Sequence, residues 1–246
     1  MTAGSKVWFW FVFALSFSEA FSKAATNEYY SSPAAKAVID AMIQAYGGAE
    51  KLKAIDRVKV VAQVTTGSRT VRATFYQTAT KMRRDAVSGP VNLIEIFDGK
   101  DVIAILNGKP VTPRPEAKPD LANEVKEGVF QAALLDVFMN KDRHVALREK
   151  KVFDGKNCDV IETKNYRDEL REHFIDPESH REIGRITHKP QEKEMSVFEG
   201  FDEFQGVVYP ARMVFKRADG SVSGGMRVVE ISSDFDNSVF VPDLKK

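Results

Sequence analysis

The sequence has 246 residues, enough for one large all-β domain or two small ones. With 43% hydrophobic and 29% charged residues it has the composition of a folded globular chain, which excludes a disordered one. A net charge of +1 excludes the basic excess of a dedicated nucleic-acid binder, and one cysteine excludes an intrachain disulfide framework or a Cys-rich zinc site.

The first segment carries compartment information. Lys6 precedes an apolar run from Val7 to Phe17. As a helix this run spans about 16 Å, too short for a bilayer core of about 30 Å. Two small-x-small sites follow, ending at Ala20 and Ala24. The pattern is that of a secretory signal peptide over residues 1–24, with cleavage after Ala20 or Ala24. Cutting after Ala24 removes Lys6, Glu19 and Lys23 and leaves basic and acidic residues equal in number. The expected product is a periplasmic or secreted single domain over residues 25–246, monomeric, with no nucleic-acid partner.

Ser32-Pro33 opens a helix whose apolar positions, Ala34, Val38, Ala41, Met42 and Ala45, recur at helical spacing until Gly47-Gly48. The period then changes from 3.6 to 2. Val58 to Val64, Val71 to Phe75, Thr80 to Val87, Val91 to Phe97 and Val102 to Leu106 read as five strands of an antiparallel meander. Asp98-Gly99 is a hairpin signal. Gly108 to Asp120 holds four of the ten prolines and reads as a connector, since proline cannot donate to a ladder. Leu121 to Met139 is expected to be a long apolar helix capped by Asp120.

The second half returns to strands: Val145–Phe153, Cys158–Thr163, Leu170–Ile175, Glu182–His188, Met195–Phe204, Val207–Lys216 and Met226–Ser233. The whole reads as mostly β with two or three helices, a curved or partly closed antiparallel sheet. Cys158 lies in a strand-like run and reads as a small core residue.

Catalytic signals are weak. The zincin, nucleophile-elbow, P-loop and dinucleotide-fold motifs are all missing. His144, His173, His180 and His188 fit no common metal spacing, and His173 and His188 read as solvated strand residues that could meet across a sheet. No catalytic residue, metal or cofactor is therefore expected. Arg83-Arg84 lies on the third strand, and alternation turns one of the two inward. That arginine either pairs with a carboxylate or faces an apolar cavity, where it would hydrogen-bond a ligand carbonyl or headgroup. Phe75, Phe97, Phe174 and Phe215 are strand phenylalanines among 17 in the chain. Flat Phe and flexible Met suit a site for acyl chains, and equally a sandwich core.

The order of these signals resembles a known group. It runs from the signal segment and the helix ending Tyr46-Gly47-Gly48, through Lys81-Met82-Arg83-Arg84, to Phe97-Asp98-Gly99 and the Pro-rich connector. The apolar helix, Phe153-Asp154-Gly155, Phe174-Ile175-Asp176-Pro177, Gly206-Val207-Val208-Tyr209-Pro210 and Phe240-Val241-Pro242 follow. This resembles the periplasmic lipoprotein-carrier-like family, the LolA/LolB-like or outer-membrane lipoprotein-sorting group. The resemblance implies an unclosed antiparallel β-barrel of about eleven strands with a helical lid. It also implies non-enzymatic binding of the acyl chains of a lipoprotein or lipid. Family carriers hold the lid with an arginine, which matches Arg83 or Arg84 here. Phe75, Phe97, Phe130, Leu134, Phe138, Phe174 and Phe215 would line or cover the cavity. The alternative is an envelope sensor or interaction module on the same scaffold, working with an envelope membrane-protein partner.

Overall fold

The computed structural model describes residues 30–126, 145–165, 168–189 and 193–242. The expected signal segment and the outer part of the expected long helix, with Phe130, Leu134 and Phe138, lie outside them.

Helix α1 (Pro33–Ala45) starts where the sequence places it. Ser32 Oγ accepts from the Ala35 N–H at 3.1 Å, and Pro33 takes the first turn, where no N–H is needed. It stops at Tyr46, whose carbonyl accepts from the Val208 N–H at 3.1 Å. Gly47, at φ +113°, continues into α2 (Ala49–Ala54). A Cβ on Gly47 would lie 2.1 Å from the Gly206 carbonyl oxygen, so only glycine fits this crossing.

Thirteen strands form one antiparallel sheet. The first meander is β1 (Arg57–Thr66), β2 (Arg69–Thr78), β3 (Met82–Ser88), β4 (Val91–Phe97), β5 (Val102–Leu106) and β6 (Lys109–Val111). After α3 (Ala117–Lys126) comes a second: β7 (Ala146–Phe153), β8 (Lys156–Lys164), β9 (Leu170–Ile175), β10 (Glu182–His188), β11 (Lys193–Phe204), β12 (Val207–Lys216) and β13 (Val222–Ser232). The spatial order is β6-β5-β4-β3-β2-β1-β13-β12-β11-β10-β9-β8-β7. Every neighbour is sequential except β1 and β13, which pair antiparallel at the seam, with Val60 opposite Ile231. The edges β6 and β7 do not pair, so the sheet is an open half-barrel.

Both edges carry devices that discourage further pairing. β6 is three residues long and contains Pro110; β7 exposes Arg148, Lys150 and Lys151. The Pro-rich stretch read as pure connector thus begins as a strand. Proline is tolerated there because an edge strand does not need every N–H in a ladder. Asp120 is also not the helix cap expected: α3 begins at Ala117, with Pro119 in its first turn and Asp120 inside.

Registers sort the side chains onto two faces. The inner face carries both long helices. There Ile39, Met42, Ile43 and Tyr46 of α1 pack with Ile161, Ile175, Val207 and Tyr209, and Leu121 of α3 packs with Met82 and Phe97. On the outer face Phe153, Cys158, Val160, Phe174, Val197 and Val214 form a separate cluster. A Cβ on Gly184 would sit 2.4 Å from the Phe153 ring, so the missing side chain makes room for that phenylalanine. Across the outer side of the first meander the C-terminal segment runs through a 3-10 turn (Asn237–Phe240). Phe235 stacks edge-on to Tyr76 and Phe240 there.

Candidate functional site

Pairing across β2, β3, β4 and β5 lays the inner-face residues out in rows. One row is Gln77, Met82, Phe97 and Val102; the next is Phe75, Arg84, Glu95 and Ala104; a third is Ala73, Ala86, Leu93 and Leu106. The first row lies under Leu121 of α3. The third is mostly small side chains, and there the surface opens into a cleft of about 290 Å³, part of it open to solvent. Its lining is Ala73, Phe75, Arg84, Asp85, Ala86, Leu93 and Glu95. Most of that volume is open solvent; the enclosed space is about 20 Å³, room for about one water, in a wall that is mostly apolar with a few polar groups.

The middle row anchors the helix. Arg84, 6% exposed, places Nη2 3.1 Å from Oε1 of Glu124 on α3 and Nε 3.9 Å from Oε2 of Glu95. Arg114, ahead of α3, reaches Glu95 Oε1 at 3.3 Å and Asp120 Oδ2 at 4.0 Å. Gln77 donates from Nε2 to the Glu124 carbonyl at 2.9 Å. The helix is thus held to the sheet by charge as much as by Leu121. The Glu124 contact is off the hydrogen-bond direction. Among the described residues Arg84 Nε and Nη2 make no hydrogen bond although both are buried. Buried donors left in that state cost stability until an acceptor reaches them.

Sequence alternation leaves Arg83 and Arg84 equivalent, and the register separates them. Arg83 turns to the outer face. It donates from Nη1 to the Val239 carbonyl at 2.8 Å, pairs with Asp85 and lies over the Tyr76 ring. Of the other expected cavity residues, Phe75 lies directly opposite Arg84 and lines the cleft. Phe97 is buried beneath α3. Phe215 is half-buried far along the inner face, opposite Ser196 and Gly224. Phe174 points the other way, into the outer cluster, with its ring stacked 4.2 Å from that of Phe153. The structure therefore gathers Phe75 and Arg84, with Phe97 adjacent, and leaves Arg83, Phe174 and Phe215 apart. Sequence reading missed Glu95, Glu124, Ala73, Ala86 and Leu93. The signal for them was the hairpin register that sets them beside Phe75 and Arg84.

A second charged array lies on the inner face of β8 to β10. His173 Nδ1 is 2.8 Å from Glu182 Oε1, and Nε2 is 2.9 Å from Thr163 Oγ1. Arg185 donates to both Glu182 oxygens, at 3.1 and 3.2 Å. Burial pushes the Glu182 carboxyl up, but Arg185 and His173 outweigh it and hold the group below the usual glutamate range. The same burial pushes the Tyr46 phenol well up, with Glu182 adding to it. The hydroxyl–imidazole–carboxylate order is that of an acyl-transfer relay. Thr163, however, is only 2% exposed, and its hydroxyl has no access for an acyl substrate. The array instead ties three strands together. This corrects the reading of His173 as solvated: it is fully buried. Nor does it meet His188, which lies on the other face against Glu172. Cys158 is buried in the outer cluster, and burial pushes its thiol up, away from nucleophile behaviour.

Comparison with protein-family models finds no match, and comparison with curated protein sequences finds none. Among solved structures, a LolA superfamily protein from Nitrosomonas europaea superposes with a TM-score of 0.51 at 14% identity, over 79% of this chain and 96% of that one. The fold is LolA-like. An outer-membrane lipoprotein-sorting protein domain from Vibrio parahaemolyticus matches with a TM-score of 0.51 at 8% identity, over 84% of this chain and 97% of that one. A DUF1329 family protein from Desulfovibrio piger gives 0.52 at 11%, over 84% and 96%. The LolA-like sheet here has thirteen strands rather than the eleven or so expected.

Proposed function

We propose that this protein is an exported carrier, not an enzyme, which binds the acyl portion of a lipid or lipoprotein on the inner face of its open sheet. In this reading residues 1–24 direct export to the periplasm and are removed, and the remainder works as one domain. The observation that carries it is the apolar cleft on the inner face, floored by the alanine row and closed at one side by Phe75 and the under-bonded Arg84. The LolA-like fold supports the same role, because such a sheet stays open at both edges. Each buried acyl CH₂ contributes about 0.8 kcal/mol, so a short length of chain suffices for useful affinity. Arg84 is the residue proposed to hold α3 against the sheet and to donate to a ligand oxygen.

The test is native mass spectrometry of the mature protein, purified from its exported compartment without detergent, before and after organic extraction. An adduct of lipid mass that extraction removes is the expected result. A bare protein mass that stays bare after incubation with acyl lipids overturns the reading.

A further inference from the structure

The outer face of the sheet carries a charge pattern that the fold itself does not require. We infer that a row of arginines there docks the protein onto an anionic phospholipid surface. This goes beyond the carrier reading and does not depend on it.

The pairing of β3, β2, β1, β13, β12 and β11 sets Val87, Arg72, Gln63, Arg227, Arg212 and Glu199 side by side across the outer face. All six are exposed. Arg227 and Arg212 stand directly opposite each other, an arrangement in which like charges repel and cost stability. Arg72 is two strands from Arg227, about 10 Å at the usual strand spacing. Of the three, Arg212 has a carboxylate at hand, with Nη1 3.1 Å from Glu199 Oε2. Among the described residues Arg72 and Arg227 form no salt bridge. Nearby, Lys59 pairs with Glu230 at 2.7 Å, and it holds that carboxyl below the usual glutamate range with more distant help from Arg72. These positions therefore hold four cations, Arg72, Arg212, Arg227 and Lys59, against two carboxylates, Glu199 and Glu230. That is an excess of two positive charges on a chain whose net charge is +1.

Arginine presents a planar fork of donors that matches phosphate oxygens in pairs. A row on the outward-curving side of a half-barrel cannot enclose a small anion or clasp a peptide. A lipid surface supplies phosphates side by side and has no shape to match. Val87 in the row and Val229, two residues beyond Arg227, are 43% and 54% exposed. Apolar side chains beside cations are suited to settle between headgroups. A protein held in this way keeps its inner face turned from the bilayer.

The test sediments the mature protein with vesicles of phosphatidylcholine alone, or of phosphatidylcholine with an equal part of phosphatidylglycerol. Binding is expected at low salt to the anionic vesicles only. It should vanish as salt rises toward about 1 M, where the screening length is about 3 Å. Arg72→Gln and Arg227→Gln should each weaken binding about fivefold, and Glu199→Gln should strengthen it by freeing Arg212. Lys118→Gln, which removes an exposed charge on α3 at the inner face, should change little. All four positions are exposed, so these variants should fold. Equal binding to neutral and anionic vesicles overturns the inference and points to the apolar inner face instead. Equal loss in Lys118→Gln also overturns it, because the attraction then belongs to the charge of the whole molecule. Binding to soluble polyglutamate but not to vesicles makes the partner an acidic protein, and the lipid assignment falls. Binding to neither removes the docking surface altogether. The mass-spectrometric test of acyl binding stands apart from all of these results.

Discussion

Two buried charged arrays sit on the same face of the sheet and differ in how completely they are satisfied. In the half formed by β8 to β10, both ring nitrogens of His173 and both oxygens of Glu182 have partners within 3.2 Å. In the half formed by β2 to β4, Arg84 is buried between two carboxylates, yet two of its nitrogens make no hydrogen bond among the described residues. The first array joins neighbouring strands of one sheet, so its geometry is fixed once the sheet forms. The second joins the sheet to a helix and borders a cleft, so its geometry depends on where that helix sits. A satisfied network reads as architecture; one with spare donors facing a cleft reads as a site.

Stability measurements can break this comparison. The largest effect is expected at Glu182. Replacing it with alanine removes the buried carboxylate that both His173 and Arg185 contact, at a cost of about 3–5 kcal/mol in urea denaturation. Glu124→Gln keeps shape and loses one charge, and should cost about 1–3 kcal/mol. Equal costs would erase the distinction between the arrays. Next comes Gly184→Val, which drives a side chain into Phe153 and should cost about 1–3 kcal/mol without changing lipid binding, since the clash lies on the outer face. A loss of binding there would show the two faces to be coupled.

Acid should separate the arrays further. Glu182 is held below the usual glutamate range, as are Glu172, which His188 and Lys151 contact, and Asp176, bonded to Lys156. Depressed carboxylates contribute stability at neutral pH and lose it as pH falls from about 4 toward their lower folded values. Unfolding followed across that range should show a steep acid limb, shallower in Glu182→Gln. Arg83→Ala removes the hydrogen bond to the Val239 carbonyl and the pair with Asp85, both on the outer face, at a cost of about 1–3 kcal/mol. It should leave lipid binding unchanged, unlike Arg84→Met. Matching effects of the two arginine variants on binding would contradict the assignment of faces.

Much of the fold was legible because it is local. Hairpin words such as Asp154-Gly155 set the turns, and the two turn residues take φ +47° and +81°, as a tight hairpin requires. The similar Phe97-Asp98-Gly99 makes a longer loop, in which the Asp98 carboxylate accepts from the backbone of Lys100 and Asp101. The site was less legible because it depends on register. Alternation puts either Arg83 or Arg84 inside, and only the pairing of Phe75 with Arg84 and of Arg84 with Glu95 decides. His173 was misread for the same reason. Its partner Glu182 comes from the next strand across a bulge at Glu182/Gly184, which no single-strand pattern reveals. The start of α3 escaped because three of its five buried positions, Asp120, Asn123 and Glu124, are polar and imitate an exposed helix.

The seam between β1 and β13 has a consequence for how the molecule is made. The first strand of the sheet waits for the last, so each meander can form from local contacts while the join must close a loop of nearly the whole chain. Collapse of the two halves should be fast and their zipping slow, the kinetic mark of a high contact order. A chain cut short before Val222 would not lose a dispensable edge. It would be left with two extra open ones, at β1 and β12, in the middle of what should have been a continuous sheet.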